Sequence, residues 1–194
     1  CVLVNGRDAP ALLNHCFTRN LNGLDTGRCV YGAFLDENGH CLDDAIIYQC
    51  GQTGFLVCVN SGMGNAIAAH LEHCKPMIGL SEAVVLDLTG KIAKIDIQGP
   101  EAAKILSGLI QAPESVFQAM VYFSFKGFFD FDPAGSALNP GDYTPQQPVL
   151  LKDGTPILLS RSGYTGEFGF EIFIANPDAV QLWEDLMAQG WDHG

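Results

Sequence analysis

The residues with chemistry to offer sit in three short stretches. The first is SRSGYTGEFGFEI, Ser160 to Ile172, where Gly163, Gly166 and Gly169 recur at every third position around Tyr164, Thr165 and Glu167. Glycines allow backbone torsions that other residues resist, so this reads as a bent turn. Beyond it Phe170 is apolar, Glu171 acidic and Ile172 apolar, the alternation of a strand that sets Glu171 on the opposite face from its neighbours. A carboxylate in an apolar strand is costly unless paired, so a basic side chain or a ligand with paired donors must meet it.

The second stretch is NGHCLDDAIIY, in which Asp43 and Asp44 follow the turn signal Asn38-Gly39 and open an apolar strand. Adjacent strand residues point to opposite faces, so one acid is solvated while the other can face a pocket; two exposed strand-end acids fit equally well. No second acid stands at general-acid spacing, so glycoside hydrolysis gains no support. The third is Asn60, at the end of the strand LVCVN. Its amide both donates and accepts, which suits the edge of a heterocycle; a turn-forming Asn before Ser61-Gly62 is the alternative.

Other signatures fail. Leu56 to Leu71 imitates a dinucleotide fingerprint, but Ile67 stands where the third glycine belongs. No phosphate-binding GxxxxGK[ST] and no GxSxG occur. The dipeptides His15-Cys16, His40-Cys41 and His73-Cys74 raise zinc, but neighbouring side chains diverge, so no metal site is expected. The 7 cysteines all precede Lys75 without a CxxC, which fits reduced thiols in a cytoplasmic protein better than a secreted disulfide framework.

These residues need elements to hold them. The 194-residue chain is 47% hydrophobic, enough for a substantial core, and no run reaches membrane-spanning length. With only 10 Lys and Arg and a net charge of −12, nucleic acid is not an expected partner. The chain begins at Cys1 inside an apolar run and stops at Gly194, which reads as a piece of a longer protein. Val2 to Asn14 and Ala93 to Leu106 form a distant internal repeat of strand, glycine, acidic opening and helix. Asp8 and Glu101 fall in the first helical turn, and Pro100 suits the start of its helix. Strands are expected at Ala45–Tyr48, Phe55–Asn60, Leu158–Arg161 and Phe170–Ala175. Helices are expected over about Asn65–His73 and Ala179–Gln189, the latter stopped by Gly190. The expected fold is therefore α+β, two related units with antiparallel or mixed sheets, residues 1–85 and 86–194. Lys126 to Pro156, rich in Pro and Gly, is a long loop with a hairpin near Asp153-Gly154; its aromatic start packs in the core or walls a ligand pocket.

Taken together, GYTGEFGFEI, the upstream IQGP, the DDxIxY strand and the LVxVN strand resemble the glycine-cleavage T-protein family, the aminomethyltransferases. Order and spacing agree across Tyr31, Asp44, Asn60, Gln98-Gly99-Pro100, Tyr164 and Glu171. The resemblance implies a tetrahydrofolate-binding unit that lacks the family's C-terminal barrel domain. It implies that Asp44 is the catalytic aspartate, with Asp43 its outward neighbour, and that Glu171 clamps the pterin by accepting a ring N–H and an exocyclic amino group in parallel. Tyr31, Asn60 and Tyr164 become further pocket residues, and Cys58, on the face of Asn60, a packing contact. The implied reaction is attack by folate N5 on an aminomethyl group carried by the lipoyl arm of an H-protein, releasing ammonia and forming 5,10-methylene-tetrahydrofolate. Lys126 and Arg161 are the basic residues nearest the glycine motif. Relatives of the same superfamily imply two alternatives: a folate-dependent demethylase acting on a small methylated compound, and a non-catalytic folate-binding protein.

Overall fold

The computed structural model describes residues 1–128 and 147–193, which fall into two compact units, 1–89 and 90 onward. The long loop expected from Lys126 lies largely outside the described residues. No described helix is long and apolar enough to cross a membrane.

The first unit runs β1 (Val2–Asn5), α1 (Ala9–Cys16), β2 (Cys29–Leu35), β3 (Cys41–Gln49), β4 (Gly54–Val59), α2 (Gly64–Met77) and β5 (Val84–Asp87). Its strands form one antiparallel sheet in the order β2-β3-β4-β1-β5. Asn38-Gly39 does turn the β2–β3 hairpin, with Gly39 at φ +82°, a torsion that favours glycine. One face of the sheet is covered by helix. Val2, Val4, Ala45, Ile47, Phe55 and Val57 share a buried cluster with Leu12 and Leu13 of α1 and Ile67 and Leu71 of α2. Buried residues on α1, Ala9, Leu12, Leu13 and Cys16, keep the helical spacing that makes such a stripe.

The second unit runs β6 (Ile92–Gln98), α3 (Ala102–Ser107), α4 (Pro113–Phe117), β7 (Phe125–Lys126), β8 (Val149–Leu150), β9 (Pro156–Ser160), β10 (Gly169–Ala175) and α5 (Ala179–Gly190). The strand order is β6-β10-β9-β7, with β8 also on β9, and every pairing is antiparallel. Val149 pairs with Ile157 across a tight turn at Asp153-Gly154, so the expected hairpin is present. Phe170, Ile172 and Ile174 pack under Leu106, Leu182 and Leu186, again with helices on one face. In both units the opening strand is followed by a helix and pairs with the long strand that precedes the closing helix, β1 with β4 and β6 with β10.

Some local expectations change. Asp8 and Glu101 stand at the N-cap positions of α1 and α3 without capping them through their side chains. The Asp8 carboxylate instead accepts the backbone N–H groups of Ser81 and Glu82 at 3.0 and 2.9 Å, tying the start of α1 to the segment before β5. Pro100 lies in the turn ahead of α3 rather than inside it. α5 ends at Gly190, one residue beyond the expected Gln189, and passes into a 3-10 turn over Trp191–His193.

Candidate functional site

In the first unit the residues singled out by sequence converge at the open end of the β2–β3–β4 sheet. Strand pairing sets Tyr31 opposite Ile46, Ala33 opposite Asp44 and Ala45 opposite Val59. By alternation Tyr31, Asp44, Ile46 and Cys58 occupy the face away from the helices. The Tyr31 hydroxyl donates to Asp44 Oδ2 at 2.6 Å, and the Asn60 side-chain amide donates to Asp44 Oδ1 at 2.5 Å. Those two hydrogen bonds, the tyrosine's first, hold the Asp44 carboxyl below the usual carboxylate range. The same contact pushes the Tyr31 phenol up. Asp44 is therefore an anion near neutral pH, oriented by two neutral donors. Cys58 sits half-buried opposite Ile46 on that face.

Asp43 corrects an expectation. It is not the outward neighbour but the more buried acid, at 8% exposure. Alternation turns it toward the helix-covered face with Ala45 and Ile47, and burial there demands compensation. Asn60 provides it, its backbone N–H donating to Asp43 Oδ2 at 3.0 Å and its amide to Asp43 Oδ1 at 2.7 Å. One amide thus joins two carboxylates, concentrating negative charge at the strand ends. Asn60 fixes both acids, and its backbone carbonyl accepts the Met63 N–H in the turn that follows.

In the second unit Glu171 is 2% exposed. The β10–β6 register sets it directly opposite Asp96, a like-charge pair that destabilises a sheet unless something lies between. Lys94 does: its ammonium meets Glu171 Oε1 and reaches Asp96 Oδ1 at 3.0 Å. The Ser162 hydroxyl contacts the other Glu171 oxygen and lies 2.6 Å from the Ser160 hydroxyl. The carboxylate embedded in an apolar strand is thus met by a basic side chain, the first of the two alternatives its burial allowed. Tyr164 is 85% exposed, with Lys94 Nζ 5.9 Å from its ring centre.

The glycine motif has a packing reason that sequence reasoning misses. A Cβ on Gly163 would lie 2.5 Å from Gln98 Oε1, and one on Gly169 would collide with that same oxygen and with the Ile97 carbonyl. Both glycines clear space for Gln98 of IQGP, whose amide donates to the carbonyls of Ser162 and Phe170 at 3.2 Å. Gly166, at φ +78° with open space around it, serves the turn itself. Lys94, Asp96 and Ser162 are residues around Glu171 that the sequence reading does not single out. Lys94 and Asp96 carry a signal in KIDIQ, where charges alternate with apolar residues. The two basic residues near the motif are committed elsewhere. Arg161 lies 4.1 Å over the Phe168 ring and donates to the Gly169 carbonyl at 3.1 Å. Lys126 donates to the carbonyls of Ser115 and Gln118 at 3.1 and 2.7 Å, and burial pushes its pKa down.

Fold and site together define an α+β protein with Asp44 and Glu171 on the helix-free faces of its two antiparallel sheets. Comparison with known proteins narrows this. The family described as GCVT N-terminal domain matches residues 1–132 and 148–194, and the chain belongs to that family. Aminomethyltransferases of Bacillus cereus and Bacillus anthracis are 30% identical over the whole of this chain, which spans 45% of their length. The glycine cleavage system aminomethyltransferase T of Bartonella henselae aligns with 96% of this chain and 42% of its own, at 26% identity and a TM-score of 0.68. A chain of the heterotetrameric sarcosine oxidase of Corynebacterium sp. U-96 shares the fold, with a TM-score of 0.55 at 16% identity, over 98% of this chain and 79% of its own.

Proposed function

We propose that the chain is the tetrahydrofolate-handling part of an aminomethyltransferase of the glycine cleavage system, with a lipoylated H-protein as the carrier of the aminomethyl group. The observation that carries this reading is Asp44, an anionic carboxylate on the helix-free face, oriented by Tyr31 and Asn60 and backed by a second carboxylate on the same amide. Tetrahydrofolate, a substrate here, supplies the accepting amine. Transfer of a methylene group from a departing amine passes through positive charge at the carbon, and a preorganised anion lowers the energy of such charge. The lowered pKa makes Asp44 a weak base, so its role is to orient the accepting amine and stabilise the cation rather than to hold a proton. Tyr31 and Asn60 are positioning residues that act through Asp44.

Glu171 serves as the pterin clamp. A carboxylate offers about four lone-pair sites, and Lys94 and Ser162 each meet a different oxygen of Glu171. Paired pterin donors reach it when Lys94 leans to Asp96, its second partner. The exposed Tyr164 ring offers a stacking face and Cys58 a packing contact.

The test is calorimetric tetrahydrofolate binding and turnover with aminomethyl-lipoyl carrier, on the parent and on Asp44→Asn. Expected is binding retained by Asp44→Asn with turnover lowered by about a hundredfold or more, the scale of a lost electrostatic catalytic group. Undiminished turnover refutes the role of Asp44. Activity with a small methylated amine and none with the carrier replaces the transferase by a demethylase.

A further inference from the structure

Packing of α1 against α2 brings together three groups that the mechanism does not use. Cys16 ends α1, and His70 and Cys74 lie four residues apart on one face of α2. The two Sγ atoms and a His70 ring nitrogen all lie within 4.8 Å of one another, and His70 Nε2 is 3.9 Å from Cys74 Sγ. Ligands on a tetrahedral ion with bonds of about 2.0 to 2.3 Å stand roughly 3.5 to 3.8 Å apart, so these atoms lie within about 1 Å of the spacing such an ion requires. The cluster lines a groove of about 490 Å³ that His15, His73 and Asp36 also line.

We propose that Cys16, His70 and Cys74 form a zinc-binding site that clips α1 to α2, with its fourth position open to that groove. Charge selects the ion. Cys16 and Cys74 belong to the buried apolar cluster, where net charge is costly. Two thiolates and a neutral imidazole around a divalent ion sum to zero, whereas a monovalent soft ion leaves a buried negative charge. Sulfur and imidazole donors disfavour magnesium and calcium, which take oxygen. The divergence of neighbouring side chains still holds for each His-Cys dipeptide. The donors come from different dipeptides, joined by helix packing, plus a histidine outside them.

The test uses the purified, thiol-reduced protein. Equilibrium dialysis with Zn²⁺ and metal quantification are expected to give one ion per chain, with thiolate-to-metal charge-transfer absorption when Co²⁺ replaces it. Cys16→Ser and Cys74→Ser are expected to lose both signals. His70→Gln, at a partly exposed position, is expected to keep its fold by circular dichroism yet bind at least about tenfold more weakly, since even outer partners of a metal ligand cost that much. Cys41→Ser, at an exposed cysteine outside the cluster, is expected to bind as the parent does. If the cysteine variants misfold, His70→Gln decides. No stoichiometric zinc on the folded parent, or affinity unchanged in His70→Gln, overturns the proposal.

Discussion

Replacing Glu171 with glutamine removes one charge and almost no volume, which isolates the buried ion pair. Breaking a fully buried pair from one side costs about 3 to 5 kcal/mol, because the surviving charge is stranded. Here the survivor is Lys94, whose side chain is 28% exposed and keeps Asp96 at 3.0 Å, so part of that penalty is relieved. The substituted amide also keeps a hydrogen-bond partner in the Ser162 hydroxyl, which can donate or accept. The expected loss is therefore about 2 to 3 kcal/mol, read from urea unfolding at neutral pH. In a domain of this size each kcal/mol moves Tm by roughly 2 to 4 °C. Lys94→Met strands the other charge, on a residue 2% exposed and opposite Asp96, and is expected to cost at least as much. The double variant then removes both charges. It is expected to fall short of the summed single losses by about 1 kcal/mol or more, the mark of direct coupling. Glu171→Gln within about 0.5 kcal/mol of the parent, or strictly additive losses, would refute the argument that Lys94 neutralises this carboxylate.

Two further predictions address the glycine motif and the Asp44 site. Gly169→Ala puts a methyl group against the Ile97 carbonyl and the Gln98 amide, and backbone cannot yield as a side-chain end does. It is expected to destabilise by about 1 to 3 kcal/mol by denaturant unfolding, with parent-like stability the refuting result. Tyr31→Phe removes the largest cause of the low Asp44 pKa, so the carboxyl resonance of Asp44 is expected to titrate at higher pH than in the parent. A depressed folded-state pKa contributes stability that is present above the ordinary value of 3.8 and lost as pH falls through the folded value. Acid unfolding of Tyr31→Phe should accordingly show less pH dependence below that value, and an unshifted resonance would remove the tyrosine from the account.

Local patterns carry far in this chain. Alternation over Phe170, Glu171 and Ile172 assigns the faces of β10. Asn38-Gly39 and Asp153-Gly154 mark their turns, because a turn is a property of a few consecutive residues. Tyr31, Asp44 and Asn60 stand out together in the sequence, and they do share one corner of one sheet. Glu171 is recognisable as a carboxylate in need of a partner, since a strand's period is enough to bury it.

The partners themselves come from tertiary structure. Lys94 lies 77 residues before Glu171, and only the β6–β10 register brings the two together. Asp43 turns inward because helices cover that face of the sheet, and a strand's alternation does not say which face will be covered. The spacing of Gly163 and Gly169 is visible in the sequence, but its reason, the Gln98 side chain between them, arrives from another strand. Cys16, His70 and Cys74 become neighbours only when α1 packs on α2. In each case the chemical need is written locally, because periodicity and polarity belong to a few neighbouring residues. The group that meets the need is chosen by the fold, because register and packing join residues that are far apart in the chain.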